Sequence, residues 1–280
     1  MRHLFLLLLL APSLPAEPVA GAWETFFRRS NAEAWSLYSY HDGIIAPAPW
    51  IDPEIDDNPY AYSYFLGGKG VWFIADKFTA RGAFVGDYAA KKIAAVDVSV
   101  SVDPDDIDYI DLVVYANGPD GPDYYYSLAF FPEDLGTLPD WYDLRFSFDK
   151  NWFSLKNGVY TPFRPDRAFL ASIDEMGIRF FPATGVAASS YVGVDDFILV
   201  PTVEAPALST SVSGGNFVLS FTPNAGVATT IEKLLPDFQW EIVPGTSGLP
   251  GSQTFITPVV PGAGLFRVAA REKLTQVVSP

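Results

Sequence analysis

The hydrophobic residues of this chain fall in short runs, some alternating with polar residues and some continuous. β-Branched and aromatic side chains dominate the runs, which is typical of β-strands. The sequence therefore predicts strands along most of its length. The clearest lie at Val71–Ala75, Ile93–Val102, Tyr109–Tyr115, Tyr124–Phe131, Leu144–Phe148, Gly177–Phe181 and Tyr191–Val200.

Clusters of turn-forming residues separate these runs, at Asp103–Asp106, Asn117–Pro122 and Lys156–Gly158. Gly, Pro, Asn and Asp are the residues that tight turns require. One segment, Arg164–Ile173, has a proline near its start and an apolar face, and it predicts a single short helix. Short strands with turns roughly every 10 residues predict an all-β fold of antiparallel sheets packed face to face.

The first 22 residues have the features of an export signal. A short basic start precedes the apolar run Leu4–Leu10, which is too short to span a bilayer. Two cleavage sites compete: one follows Ala22 and leaves Trp23 first, and the other follows Ala16 and leaves Glu17 first. The alternative is an uncleaved N-terminus. Secretion, most simply from a bacterium, is the expectation, and no transmembrane segment is predicted.

Charge and composition divide the remaining chain in two. Residues 23–204 hold 13 Lys and Arg against 28 Asp and Glu, whereas residues 205–280 hold four of each sign. The change falls in the proline-containing segment 200–206, which resembles a short semi-rigid linker. We therefore predict one domain at 23–201 and a smaller one at 207–274. The chain has no cysteine, so each domain must be stabilised by its core.

The first of these domains resembles the laminin IV-type (laminin B) module over roughly residues 35 to 200. The motifs that carry the resemblance are Asn58-Pro59, Val71–Phe78, Gly86-Asp87-Tyr88, Asp108–Val114, Leu138–Trp141, Asn151-Trp152 and Val194–Leu199. The resemblance implies a jelly-roll β-sandwich in an extracellular protein, with adhesion or glycan binding as its usual role. Where the family has a glycine-rich run after Asn-Pro, this chain has Tyr60–Tyr64.

The second domain resembles the small fibronectin-like β-sandwiches that end many secreted bacterial proteins. The resemblance is carried by Ser213–Phe221, Phe238–Trp240 and Gly264–Val268. These segments correspond to a hairpin turn with an alternating strand, an aromatic core residue and a last strand. The expected role is that of a spacer or docking module.

Few residues are available for catalysis. Beyond the predicted signal the only histidine is His41, in a Tyr-His-Asp-Gly segment that predicts a turn, and a single histidine disfavours both a catalytic triad and a zinc site. The net charge of −15 disfavours nucleic acid as a partner. Aromatic residues, in contrast, make up 15% of the chain, which favours binding over turnover. A glycosidase needs only two carboxylates, so it remains an alternative.

Two acids interrupt the otherwise apolar strand Tyr191–Val200. Strict alternation places Asp196 on the same face as Val194 and Ile198, and Asp195 on the opposite face. In the jelly-roll modules that this chain resembles, the matching acid ligates a structural Ca²⁺ together with oxygens from an early strand. The resemblance therefore implies Asp195 and Asp196 as calcium ligands, with Glu33 or Asp42 as their partners. The alternative is one hydrogen-bonded acid at the sandwich rim and one facing water.

Alternating tyrosines provide the candidate ligand surface. Tyr60, Tyr62 and Tyr64 project from one face of a predicted strand, and Tyr124 and Tyr126 from another, with Tyr125 opposite. Exposed aromatic rings stack on sugars, whereas the alternative for strand tyrosines is core packing with a solvated hydroxyl. Four tryptophans are assigned to the core, namely Trp35, Trp72, Trp141 and Trp152.

These observations predict a secreted, two-domain, non-catalytic binding or adhesion protein whose partner is an extracellular glycan or matrix component. Two alternatives stay open: a polysaccharide-degrading glycosidase or lyase, and a structural surface or matrix component. Exposed tyrosines beside polar groups favour binding, two facing carboxylates in a deep cleft favour an enzyme, and a flat surface with neither favours a structural role.

Overall fold

The computed structural model describes residues 18–51, 59–135, 141–203, 207–222, 227–234, 240–246, 253–258, 266–272 and 275–276. Several predicted features lie outside these residues: the apolar run of the export signal with the Ala16 cleavage site, Asn58, Leu138–Asp140, linker residues 204–206, Phe238-Gln239 and Gly264-Leu265. No helix among the described residues is both long and apolar enough to cross a membrane.

The largest sheet has eight antiparallel strands in the order β11-β10-β8-β7-β12-β5-β2-β3. Its central strands are the apolar runs that the sequence identified, and its outer strands are short. The strands are β2 (Ser36–Ser39), β3 (Ile45–Pro47), β5 (Val71–Ala75), β7 (Ile107–Gly118), β8 (Gly121–Tyr126), β10 (Trp152–Lys156), β11 (Val159–Phe163) and β12 (Glu175–Pro182).

A second sheet of six strands packs against the first. It runs in the order β20-β1-β13-β6-β9, and β4 pairs with the N-terminal half of β13. Its strands are β1 (Ala22–Glu24), β4 (Ala61–Tyr64), β6 (Ile93–Ser101), β9 (Tyr142–Ser147), β13 (Tyr191–Pro201) and β20 (Thr275–Gln276). The all-β sandwich expected from the sequence is therefore present.

The core lies between the two sheets and consists of alternate strand residues. Met176, Ile178 and Phe180 of β12 point inward, whereas the residues between them point to the opposite side of the eight-stranded sheet. Trp35 and Trp152 are fully buried in this core, as predicted. Continuous burial of aromatic and β-branched side chains is the main source of stability in a chain without disulfides.

Short helices and turns connect the strands. The α-helices are α1 (Arg29–Glu33), α2 (Tyr88–Lys91), α3 (Pro132–Leu135) and α4 (Arg167–Leu170). The helix predicted at Arg164–Ile173 is α4, which begins where the Asp166 carboxylate accepts a hydrogen bond of 2.9 Å from the N–H of Phe169. The predicted turn at Lys156–Gly158 closes the β10–β11 hairpin, with Asn157 and Gly158 both at positive φ.

The six strands between residues 207 and 272 form two further sheets of three strands each. Leu219, Phe221 and Ile231 form their shared core. The predicted hairpin turn at Gly214-Gly215 is present, with φ of 56° and 77°. The strands are β14 (Ala207–Ser213), β15 (Asn216–Thr222), β16 (Val227–Leu234), β17 (Trp240–Ile242), β18 (Gln253–Pro258) and β19 (Phe266–Glu272).

A β-bulge in β13 changes the predicted orientation of its residues. The pairing with β6 shifts register between Asp195 and Ile198, and Asp196 has a φ of 46°. Because of the extra residue, Val194 faces the core together with Phe197 and Leu199. The prediction that Val194 and Ile198 share a face is therefore wrong.

The bulge lies where β13 changes partner. On one side β13 pairs with β6, and on the other it pairs first with β4 and then with β1, which meets β13 at Ile198 and Phe197. The parallel strand β20 lies on the far side of β1. Residues just before β1 also pack against the fold, since Ala20 and Ala22 are buried and the N–H of Gly21 donates to the carbonyl of Leu199 at 2.9 Å.

Candidate ligand-binding face

The outward side of the eight-stranded sheet is covered by aromatic side chains. These residues alternate with core residues along each strand, so one face of each strand builds the core and the other builds this surface. We call this surface the tyrosine face. It comprises Tyr38, Tyr40, Trp72, Tyr109, Tyr115, Tyr124, Tyr126, Phe153, Tyr160 and Phe181, together with Asp111 and Arg179.

An ion pair lies at the centre of the tyrosine face. Strand register places Arg179 of β12 opposite Asp111 of β7, and the arginine contacts both carboxylate oxygens, from Nε at 2.8 Å and from Nη2 at 2.5 Å. The two side chains are only 7% and 5% exposed. Burial opposes the charge of Arg179, but the hydrogen bonds and charge of Asp111 outweigh it and raise the pKa of the arginine. The pair is therefore a fixed, charged feature of the surface.

Aromatic rings enclose the guanidinium. The Arg179 Cζ atom lies 4.4 Å from the ring centroid of Tyr126 and 5.0 Å from that of Phe181. Tyr109 stacks on Phe181 with the ring centroids 4.6 Å apart, and the Tyr40 ring contacts Phe181 from another side at 5.4 Å between centroids. These contacts hold the side chains in fixed positions before any ligand arrives.

A pocket of about 420 Å³ opens on one side of the ion pair. Its floor is apolar, formed by Trp72, Ile74 and Val113, and polar groups stand at its margin. It is lined by Ser36, Tyr38, Tyr40, Ile45, Trp72, Ile74, Asp76, Val113, Tyr124, Tyr126, Glu175 and Arg179. A concave apolar surface with a few convergent polar groups is the usual form of a small-molecule site.

A second pocket of about 440 Å³ lies on the other side of the ion pair. It is lined by Asp108, Tyr109, Asp111, Tyr126, Ser127, Leu128, Ala129, Phe131, Phe153 and Tyr160. Leu128 is 60% exposed and Tyr160 is 51% exposed, so this part of the face presents large apolar groups to solvent. Exposed apolar surface of this kind marks an interaction site.

Tyr124 connects the aromatic cluster to a carboxylate. Its ring contacts Trp72 edge-on at 5.3 Å between centroids, and its hydroxyl donates a hydrogen bond of 2.9 Å to Glu175 Oε2. Burial, and then the hydrogen bond to Glu175, raise the pKa of Tyr124 above its usual value. The hydroxyl therefore stays protonated at neutral pH and remains a donor.

The two predicted sets of tyrosines lie on different sheets. Tyr124 and Tyr126 lie on the tyrosine face, and Tyr125 between them is fully buried in the core. Tyr62 and Tyr64 lie on β4 of the six-stranded sheet and Tyr60 immediately precedes it, all on the side away from the core, since Ala61 faces inward. The alternation predicted for both sets is present.

Within the β4 set, the three tyrosines have different surroundings. Tyr60 packs edge-on against Trp141 and, unlike Tyr62, is not among the residues that line the neighbouring pocket, so its ring is not offered to a ligand there. Tyr62 lies beside a separate pocket of about 440 Å³ that also includes Trp50. Tyr64 is 44% exposed and contacts Tyr62 and Tyr191 edge-on.

The four acids predicted to hold calcium have other partners or separate locations. Asp196 accepts a hydrogen bond of 2.6 Å from the Trp23 indole. Glu33 pairs with Arg29 within α1 at 2.7 Å, and Asp42 caps the turn before β3 by accepting from the N–H of Ile44 at 3.1 Å. Asp195 is buried in the bulge of β13.

Among the residues that the structure describes, no three acidic or histidine side chains form a group that could hold a metal ion. Calcium prefers six to eight oxygen ligands, so these four acids do not fit the predicted site. The hydrogen bond from Trp23 satisfies Asp196 without a metal, which matches the alternative of a hydrogen-bonded acid at the rim.

Sequence reasoning missed the centre of the tyrosine face. The sequence assigns Trp72 to the core, yet Trp72 points to the outer side of the eight-stranded sheet, where tyrosines cover it to 8% exposure. The feature of the sequence that identifies this centre is a charged residue within an apolar strand. Arg179 and Asp111 each stand in the middle of an apolar strand, and a buried charge requires a partner.

No protein-family model matches the chain, and no curated protein is significantly similar to it in sequence. Three solved structures to which parts of the chain are similar follow. The first is the crystal structure of a β-1,2-glucanase from Parabacteroides distasonis, with a TM-score of 0.36, 10% identity, and coverage of 93% of this chain and 40% of the glucanase.

The second is the L4b domain of human laminin alpha-2, with a TM-score of 0.42, 8% identity, and coverage of 64% of this chain and 97% of that domain. The third is a β-D-glucuronidase from Dictyoglomus thermophilum, with a TM-score of 0.27, 9% identity, and coverage of 89% and 43%. The chain thus spans less than half of each of the two glycosidases.

Proposed function

We propose that this protein is a secreted, non-catalytic module of the laminin IV type that binds extracellular glycans through the tyrosine face. The observation that carries the proposal is the pair of aromatic pockets that flank the buried Arg179–Asp111 ion pair. Sugar rings offer apolar C–H faces and a rim of hydroxyls, and this surface provides complementary groups for both.

The aromatic part of the face would pack against the sugar rings. Trp72, Tyr124 and Tyr126 line one pocket, and Tyr126 and Tyr160 line the other, so each pocket contains at least two rings. The contacts among these rings and Arg179 preorganise the surface, which lowers the entropic cost of binding.

The polar groups at the pocket margins would orient the sugar hydroxyls. Glu175 is an acceptor, and the Tyr124 oxygen, whose proton is donated to Glu175, is a second acceptor. Ser36 and Asp76 line the same pocket and add a hydroxyl and a carboxylate. A few fixed polar groups around an apolar floor give a binding site its specificity.

The test is retention of the full-length mature protein on a polysaccharide array, with release of soluble sugar measured in parallel. We expect retention without release, and at least a tenfold loss of affinity in Tyr126→Ala. Tyr191→Ala is the matched control, because Tyr191 is 43% exposed on the other sheet and its removal should leave retention unchanged. Thermal melting of both variants separates lost binding from lost folding.

Tyr64→Ala distinguishes the two predicted tyrosine sets. Equal retention of this variant and the wild type would restrict binding to the tyrosine face. Retention that falls in Tyr64→Ala but not in Tyr126→Ala would move the site to β4 and contradict the proposal. Retention on no polysaccharide would contradict glycan binding altogether.

One observation favours glycoside hydrolysis as a second candidate. Asp76 and Glu175 line the same pocket, and the pairing of Ala75 with Met176 places them next to each other on neighbouring strands. Asp76 Oδ1 accepts from the N–H groups of Phe78 and Thr79, at 2.8 and 3.2 Å, and these bonds hold the carboxylate in place beside Glu175. Sugar release by the wild type that is abolished in Glu175→Gln would establish this alternative.

A further inference from the structure

The two pockets of the tyrosine face form a single binding track. Both are lined by Tyr126, and the central ion pair contributes Arg179 to one pocket and Asp111 to the other. Because Arg179 and Asp111 contact each other directly, the pockets meet at the ion pair. A ligand that fills one pocket can therefore continue over the ion pair into the other.

The track crosses the whole sheet. Ile45 of β3 lines the first pocket and Tyr160 of β11 lines the second, and these are the two edge strands of the eight-stranded sheet. Seven inter-strand spacings of about 4.8 Å give a track of about 34 Å. This length is far greater than one sugar ring and corresponds to several units of a linear chain.

Neither end of the track is closed by the lining residues. Ile45 is 63% exposed at one end, and Tyr160 is 51% exposed at the other. A site that recognises the terminus of a chain needs a wall against which that terminus stops. The open ends instead suit an internal segment of a chain that continues on both sides.

The charges along the track exclude an acidic ligand. Arg179 is the one basic group among the described lining residues of the two pockets, and Asp111 neutralises it. The other charged lining residues are the acids Asp76, Asp108 and Glu175, and the whole chain carries a net charge of −15. A uronate or sulfate would meet repulsion without a compensating cation.

We infer that the ligand of this site is an internal segment of a neutral, linear glycan. The inference rests on the proposed function and narrows it to one class of glycan. The acids of the first pocket are already engaged, Asp76 with the N–H groups of Phe78 and Thr79 and Glu175 with Tyr124, so they act as hydroxyl acceptors rather than as a site for a cationic sugar.

The experiment uses the full-length mature protein and measures affinity by calorimetry. The neutral probes are linear β-glucan, mannan, xylan and galactan oligosaccharides of increasing length, and the charged probes are oligogalacturonides, alginate oligomers and chitosan oligomers. We expect at least one neutral series to bind, with affinity that rises with length and then levels off, and with loss of that binding in Tyr126→Ala.

A gain-of-function variant tests the role of charge directly. Asp108 is exposed at the margin of the second pocket, so Asp108→Lys adds a cation to the track without disturbing the core. We expect this variant to strengthen oligogalacturonide binding roughly fivefold relative to the wild type. Asp143→Lys is the matched control, since Asp143 is exposed on β9 of the other sheet and the same change in net charge should have no such effect.

The outcomes separate this inference from the proposed function. Charged oligomers that bind the wild type more tightly than neutral ones, with binding lost in Tyr126→Ala, would overturn the neutral ligand while keeping the binding face. A monosaccharide that binds as tightly as a long oligomer would overturn the extended track in the same way. Binding of no glycan, or binding unaffected by Tyr126→Ala, would remove the proposed function and the inference with it.

Discussion

The indole of Trp72 lies against Gly177, across the pairing of β5 with β12. A Cβ atom at position 177 would overlap the carbonyl oxygen of Phe73 and would lie 2.5 Å from Trp72 Nε1. The absence of a side chain at this position therefore lets the tryptophan lie close to the sheet and form the floor of the first pocket.

Gly177→Ala should accordingly destabilise the protein. We expect the free energy of unfolding to fall by about 2 to 3 kcal/mol, because β5 or Trp72 must move to admit the methyl group. Chemical denaturation measures this loss. Gly185→Ala is the comparison, since Gly185 has a φ of 86° and no neighbouring atom within 4 Å, so the expected cost there is backbone strain of about 1 kcal/mol. Equal losses in the two variants would contradict the close-contact explanation.

The buried ion pair predicts a non-additive response to mutation. Asp111→Asn leaves the Arg179 guanidinium buried without a counter-charge, and we expect a loss of about 3 to 5 kcal/mol in the free energy of unfolding. The double variant Asp111→Leu with Arg179→Met removes both charges and should recover most of that loss. Denaturation of Asp111→Leu, Arg179→Met and the double variant gives the coupling energy, and a double variant as unstable as the sum of these two single variants would refute the pairing.

Glu24 predicts that the protein loses stability as the pH rises. It is fully buried on β1, and burial raises its pKa from 4.5 to about 7 against the hydrogen bonds from Asn31 and Phe26. The folded state therefore holds a proton that the unfolded state releases. This contribution is complete below pH 4.5 and is lost as the pH rises through 7.

Glu24→Gln tests this dependence. Glutamine keeps the carbonyl acceptor for Phe26 and Asn31 but carries no charge at any pH. We expect the variant to be more stable than the wild type at pH 8, by at most about 3 kcal/mol, and similar to it near pH 4. Denaturation midpoints across this range provide the measurement. A wild type whose stability advantage over the variant grows between pH 5 and 8 would contradict the sign.

The packing of residues 19–22 predicts which signal cleavage site is used. The N–H of Val19 donates to the carbonyl of Ala83 at 2.9 Å, and Ala22 is the first residue of β1 and is fully buried. Cleavage after Ala22 would remove these contacts, so we expect cleavage after Ala16 and a mature protein that begins at Glu17. The intact mass of the exported protein distinguishes the two cleavage sites. A mature protein that begins at Trp23 would contradict the expectation.

Strand positions were the most predictable part of the fold, because each run carries its own pattern. Val71–Ala75 is β5 with the same limits, and Tyr191–Val200 differs from β13 by one residue. The pattern of a single strand does not show which residues pack on the side of the strand that faces away from the core. Trp72 and Ile74 point away from the core between the two sheets, yet both are apolar, because a layer of tyrosines buries them there. Those tyrosines come from strands that are distant in sequence.

The directions of the Asp195 and Asp196 side chains could not be predicted, and the reason is different. A bulge adds one residue to a strand, and nothing in the alternation of β13 reveals where the addition falls. The structure places it at Asp195 and Asp196, where the neighbouring strand changes from β4 to β1. Side-chain direction on both sides of that point then follows from pairing between distant segments, which a single sequence does not specify.

The position of Trp72 also gives the protein an optical reporter of its own binding site. Trp35 and Trp152 are fully buried in the core, whereas Trp72 forms part of the pocket lining, with Tyr124 only 5.3 Å away between ring centroids. Light absorbed by the surrounding tyrosines will be transferred to this indole. A ligand laid across the pocket will change the polarity around Trp72, so the difference in emission between the wild type and Trp72→Phe will report occupancy without any attached dye.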